Sequence, residues 1–440
     1  MKSCYYLAVY VLLILLANID LAGQVSVVQM PQPGTISPVN TDNLMRSNRN
    51  SAPNNPFKQN TNSIGTYEQD KRRVEREKEE RNRILSENNR TIIYDLPSFA
   101  ALSGTEYYRD ASKMLIDMLN GKTALNLKEA VFITENAYFE GKLNRSEYNK
   151  AIMDLANVAY QKAIEDGYNW NNHIAKNVML FRAMSDRLKV KLPLHENYVT
   201  SHPMRYDFDD FKGDNDWSKV FISKLLATRK GNCHSLPMLY LILCEAIGAE
   251  AYLAHSPSHS YVKIKDKANN WYNLELTNGH IVTDAYIVGS GFISAEAIKS
   301  GLYMKPQTKK QTIAFCLYSL IVGYVRKYGY DDFVIQNLEL ILKFDPENSY
   351  ATRLKSNYMT LQMQNVLKQI GRTTEDMLKK QHPRAYQMYL DVMAIYKKID
   401  DSGFREMPEE IYVNWLNSMN KEKERQEHED KYHKIIQLTR

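Results

Sequence analysis

The sequence predicts an α+β fold: a helical layer, then a small core carrying strands, then a second helical region. Three observations carry this. Between residues 91 and 200, apolar residues recur at helical spacing. Between 217 and 289, an apolar helix is followed by short strand-like runs separated by turns. Beyond residue 307 helical spacing returns.

The chain has 440 residues, more than one ordinary domain. Composition is 44% apolar with 30 Tyr and 13 Phe, enough for sizeable cores. Lys and Arg number 57 against 51 Asp and Glu, a mild balance of +6. That charge does not indicate a nucleic-acid partner, and no finger, RNA-recognition or glycine-rich phosphate motif supports one.

Residues 1–23 read as a signal peptide. Lys2 supplies the positive start, residues 5–17 are almost continuously apolar, and Leu21-Ala22-Gly23 offers small residues for cleavage. The apolar run is shorter than the ~20 residues of a membrane span. The expected location is therefore exported: periplasmic, cell-surface or secreted. The alternative is an uncleaved anchor that holds the chain near a membrane. Residues 24–90 read as a disordered, charged tether. Its first part is rich in Asn, Pro, Ser, Gln and Thr. The run EQDKRRVEREKEERNRIL could form a solvated helix through i,i+4 pairs, since Val74 alone makes no apolar face. Cleavage would leave Cys233, Cys244 and Cys316, an odd set in which at least one thiol has no internal partner.

Residues 91–200 form the expected N-terminal helical region. Ser103 and Glu106 have capping-box spacing, followed by Met114, Leu115 and Met118 at helical intervals. Helices follow over 125–139, from Asn144 to Gly167, and over 171–188. Pro193 and Pro203 break the pattern. Residues 201–304 form the expected core. A helix over 217–228 is stopped by Gly231-Asn232, and the Cys233 helix follows. Strands are expected over 250–253, 260–264 and 271–276. Asn278-Gly279 makes a tight turn, and Ile281 begins another strand. Residues 305–440 are expected to be helical: 312–326, 333–344, an Asp-Pro-Glu-Asn turn, a helix from Ser349, then 386–397 and 409–419.

The stretch RKGNCHSLPMLY holds the candidate nucleophile. Pro237 has no N–H to donate to the Cys233 carbonyl, so Cys233 must sit at a helix end rather than inside one. There the helix dipole and unpaired N–H groups favour a thiolate. Cys244 lies among Leu241, Leu243 and Ile247, and Cys316 lies in IAFCLY; both read as core packing. A thiol proton needs a base. His259 stands at a strand mouth beyond Pro257 and can reach a helix N-terminus. His255 is the weaker candidate, and His234, adjacent in sequence, diverges from the cysteine on a helix. Glu275 lies between Leu274 and Leu276 on the opposite strand face. A carboxylate in an apolar strand needs a partner, and holding the His259 ring supplies one. Asn273 shares that face and is the second choice; Asp284 is a looser one. Cys233, His234, His255, His259 and His280 lie close in sequence. They have no finger spacing, and Pro257 interrupts the one His-x-x-x-His. No metal and no cofactor are expected.

These segments resemble the transglutaminase-like superfamily, with its papain-like Cys-His-acid core. The matching segments are FISKLLATRKGNC, CHSLPMLY with the later Ala-Ile-Gly, PSHSYVKI and WYNLELT. The SLPMLY form is similar to a bacterial branch related to SirB1-type proteins. In that branch such a core is often followed by tetratricopeptide-like helices, and LELILKFDPENSYATRLKSNYM resembles one such repeat. The resemblance implies Cys233 as nucleophile, His259 as base and Glu275 as acid, where many members have aspartate. It implies an oxyanion site using the Cys233 backbone N–H, with Trp217 or an Asn232-side group as the second donor. The implied activity is exported, cysteine-dependent acyl transfer on a peptide, protein or cell-wall peptide: hydrolysis with water, crosslinking with an amine. The alternative is a catalytically inactive module whose C-terminal helices bind or scaffold a protein partner.

Overall fold

The structure is a computed structural model that describes residues 63–86, 92–193, 197–291 and 293–404. The expected signal peptide, the first part of the tether, the helix at 409–419 and the charged tail lie outside them. The fold is α+β and mostly helical. Helix α1 spans Ser63–Ser86, and α2 to α5 span Thr105–Leu119, Leu127–Tyr138, Arg145–Glu165 and His173–Ser185. Asparagines 126, 144 and 172 start three of these helices, each accepting a backbone N–H in the first turn. Ser103 does not cap α2. Gly104 takes that place at φ 93°, and Glu106 reaches back to the Gly104 N–H.

Strands β1 (Leu188–Val190) and β2 (Val199–Ser201) pair antiparallel. The helix expected to reach 188 therefore stops at Ser185, and Leu188 joins a strand. Strand β3 (Arg205–Tyr206) pairs parallel to β4 (Lys230–Gly231). Residues 217–228 are not one helix. A 3-10 turn, Trp217–Val220, breaks at extended Phe221, and α6 (Ile222–Thr228) follows. Helix α7 spans Ser235–Ile247, and Gly248 ends it in the left-handed conformation. The sheet has order β5-β6-β7-β8: Tyr252–Ser256, His259–Lys265, Trp271–Glu275 and His280–Val282, all antiparallel. Helices α8 (Asp284–Gly291) and α9 (Ala295–Lys299) lead to α10 (Lys309–Lys327), α11 (Asp332–Phe344), α12 (Ser349–Ile370), α13 (Glu375–Gln381) and α14 (Pro383–Asp401).

The expected boundary at residue 305 is not a break in packing. One apolar core runs from Val74 to Tyr358, so the N-terminal layer, the sheet and the first C-terminal helices are built together. Tyr108 of α2 meets Tyr324 of α10 edge to face at 5.5 Å, and Thr134 of α3 donates to the Cys316 carbonyl at 3.3 Å. A second, smaller core, from Met363 to Val392, joins α12, α13 and α14.

The charged segment also departs from expectation. Part of it is the docked helix α1, not a solvated tether. Val74 is fully buried, Asp70 faces Lys327 at 3.8 Å, and Arg73 faces Glu140 at 3.8 Å. One apolar residue suffices because ion-pair partners on the body, distant in sequence, complete the contact. Among the described residues no helix is long and apolar enough to cross a membrane.

Candidate active site

Cys233 sits between β4 and α7, half-buried, with no disulfide. The chain around it is fixed by its neighbours. Asn232 is 2% exposed, and its Oδ1 accepts from the His234 and Ser235 backbone N–H groups, both at 3.0 Å. Its Nδ2 donates to the Phe211 carbonyl at 2.8 Å, and its own N–H donates to Ser235 Oγ at 3.0 Å. Asn232 therefore caps α7 from three residues upstream of the first helical residue. Gly231 is required by the same packing, because a Cβ there would lie 2.6 Å from Ser235 Oγ. Pro237 falls in the first turn of α7, where a missing N–H costs nothing.

The histidine arrives on a hairpin. Ser256 pairs with His259, leaving Pro257-Ser258 as a two-residue loop. Ser258 has φ 56°, the left-handed region, and Pro before it matches a type II turn. This turn aims the start of β6 at the cysteine, and Cys233 Sγ lies 3.9 Å from the Ser258 carbonyl. The conformation sets a limit on substitution: Ser258→Val should cost about 2 kcal/mol, whereas Ser258→Gly should change stability by less than about 1 kcal/mol. Urea unfolding of the two variants checks this, and equal stability would mean the turn carries no strain.

His259 Nε2 and Glu275 Oε2 are 2.6 Å apart, with side chains 11% and 5% exposed. Nε2 is thus engaged by the carboxylate, and Nδ1 is the nitrogen left for the thiol. Burial by itself would lower the His259 pKa. The Glu275 charge, together with the hydrogen bond and charge of the Cys233 side chain, outweighs it and raises the pKa to about 10. Burial would raise the Glu275 pKa, but His259 and the Thr277 donors bring it below the usual carboxylate range. Thr277 holds the other carboxylate oxygen, Oε1, through its N–H at 3.1 Å and its hydroxyl at 2.6 Å. Sequence reasoning passed over Thr277, although alternation in Glu-Leu-Thr places it on the Glu275 face.

The remaining candidates do not join this pair, although His234 lines the same cavity as Cys233. Asn273 donates to Asp284 Oδ1 at 2.8 Å, and Lys263 pairs with Asp284 at 3.0 Å, so these form their own network. His255 is buried, with Nδ1 2.9 Å from Ser260 Oγ; burial lowers its pKa to about 3. His234 lies with its ring 5.3 Å from Phe315, and burial lowers its pKa to about 4. Both rings pack on Phe315, and His255 also on Tyr350. His280 is exposed in β8, opposite Glu275. Among the described residues no group of three or more His, Cys, Asp or Glu side chains could hold a metal ion. Cys244 and Cys316 are each 2% exposed, and burial pushes both thiols well above the usual range.

Cys233 opens on a cavity of about 360 Å³ lined by residues that include Trp217, Asn232, Ser258, Phe315 and Arg326. The α10 side of this wall was not legible from the cysteine's own neighbourhood. The indole N–H of Trp217 is buried and has no hydrogen-bond partner among the described residues. The Asn232 amide is committed to Phe211 and to the cap, whereas no acceptor among the described residues engages the Cys233 backbone N–H. No family model, curated protein or solved structure matches the chain.

Proposed function

We propose that the protein is a cysteine-dependent acyl-transfer enzyme with a transglutaminase-like core. The observation that carries this reading is the relay Glu275–His259–Cys233 ending on an open cavity. In the resting site the thiol proton already sits on His259 Nδ1, and Glu275 stabilises this thiolate–imidazolium pair from Nε2. Cys233 Sγ then bonds to the carbonyl carbon of an amide or ester. The Cys233 backbone N–H and the Trp217 indole N–H are the candidate donors to the oxyanion. His259 returns the proton to the leaving group as its bond to the carbonyl carbon breaks. Water or an amine attacks the thioester, gives its proton to His259, and displaces the thiolate, which restores the resting pair. Export fits a peptide, a surface protein or a cell-wall peptide as acyl donor. The docked C-terminal helices, read as tetratricopeptide-like, complete the site rather than stand apart.

The test is alkylation of the folded full chain, with each cysteine followed by mass spectrometry. Iodoacetamide should modify Cys233 at least about 10²-fold faster than Cys244 or Cys316, whose burial shields them. His259→Ala should slow Cys233 at least about tenfold. A Cys233 as silent as Cys244, or one indifferent to His259, would remove the enzyme reading in favour of a partner-binding module.

A further inference from the structure

The cavity beside Cys233 has a chemistry of its own. One wall is a single face of α10: Phe315, Ser319, Val322 and Arg326 are spaced three or four apart and all line it. Trp217 also lines it, packed against the same helix through Arg326. The polar groups on this stripe are already committed. Ser319 Oγ donates back to the Phe315 carbonyl at 3.0 Å. The Arg326 guanidinium stacks over the Trp217 ring at 4.2 Å and donates to the Gly213 carbonyl at 3.2 Å. Lys212, Asp214 and His234 also line the cavity, Asp214 pairing with Arg326 at 3.4 Å, but most of the surface left toward a ligand is aromatic and aliphatic. The volume of about 360 Å³ exceeds the roughly 150 Å³ of an apolar cavity that binds benzene.

A glutamine donor, as in protein crosslinking, would present a slim two-carbon chain to Cys233. It would leave most of these walls uncovered. A benzyl or large aliphatic side chain would cover them and exclude water from the adjacent carbonyl.

We propose that the cavity binds a bulky apolar side chain, aromatic before aliphatic, of a peptide acyl donor, next to the carbonyl that Cys233 attacks. Val322 on α10 sets the depth. This rests on Cys233 being the nucleophile. It assigns the first C-terminal helix a role in specificity, and it favours peptide hydrolysis over glutamine crosslinking.

The experiment compares second-order labelling of Cys233 in the full chain by peptidyl acyloxymethyl ketones. The residue bearing the ketone is Phe, Leu or Gly. A diazo-ketone peptide, with its electrophile at the glutamine side-chain carbonyl position, forms the fourth arm. Each rate is divided by the iodoacetamide rate at Cys233 in the same variant. The Phe probe should exceed the Gly probe at least about tenfold and the glutamine-type probe by more. Val322→Trp, which fills the cavity, should bring the Phe-to-Gly ratio below about threefold. Val322→Ala should instead raise the rate of a Trp-bearing probe relative to Phe. Equal Phe and Gly rates with fast iodoacetamide labelling would overturn the substrate class while leaving the nucleophile in place. A glutamine-type probe that labels fastest would overturn it in favour of crosslinking. Ratios unmoved by both Val322 variants would overturn the location. Iodoacetamide labelling at Cys233 no faster than at Cys244 would remove the site reading itself, and the proposal with it.

Discussion

Asn232→Ala should lower the stability of the folded chain by about 3 kcal/mol. Three consequences combine. The His234 and Ser235 N–H groups lose their acceptor, and the Phe211 carbonyl loses its donor. All of this happens at a residue only 2% exposed, where water cannot readily replace the lost bonds. Costs of one capping bond run at about 1 kcal/mol, and each orphaned buried group adds about 1–3 kcal/mol, with incomplete additivity. Asn232→Asp should be intermediate. Its carboxylate still caps α7 and suits the positive helix end, but it faces the Phe211 carbonyl oxygen without a proton to donate. Urea unfolding followed by far-UV circular dichroism measures both variants. An Ala variant within about 0.5 kcal/mol of the parent would mean the cap carries little. A variant that keeps its stability but loses Cys233 labelling by substrate-like probes would restore Asn232 as an oxyanion donor.

The fold class and the chain direction through the site were legible because each rests on local chemistry. Pro237 and Gly231-Asn232 mark the start of α7 within a few residues, and Pro257 marks the hairpin that ends at His259. The isolation of Glu275 between two leucines has a direct physical meaning, since a buried carboxylate needs a partner, and His259 lies 2.6 Å away. What could not be read was contact between distant segments. Glu135 illustrates it: from α3 it accepts the Ile222 and Ser223 N–H groups at the start of α6, 87 and 88 residues away. Nothing in either segment announces the other. The docking of α1 and the cavity wall on α10 belong to the same class. So does the break after the 3-10 turn at Trp217: Asp216 caps its start by accepting from the Ser218 N–H, and extended Phe221 ends it before α6 begins.

Glu275→Gln should cost about 3 kcal/mol near pH 6 and less than about 1 kcal/mol near pH 10. The two partners set this window in opposite directions. The folded pKa of His259 is raised from 6.5 to about 10, so its contribution is complete below 6.5 and is lost as pH rises through about 10. The folded pKa of Glu275 is lowered from 4.5, so its contribution is present above 4.5 and is lost as pH falls below that value. The pair therefore stabilises most between 4.5 and 6.5, and both side chains are buried enough that solvent screens little of it. Glutamine keeps the shape and can still bond Thr277, but it offers His259 no charge. The imidazole then follows its burial, which favours the neutral form, and the thiol loses the imidazolium beside it. Two readouts separate a positioning role from a merely structural one. Unfolding of parent and variant at pH 6 and pH 10 gives the stability difference, and iodoacetamide labelling of Cys233 across the same range gives the reactivity. A stability loss that does not shrink toward pH 10 would point to packing rather than charge. An unchanged labelling profile would mean that Glu275 supports the strand without orienting the base.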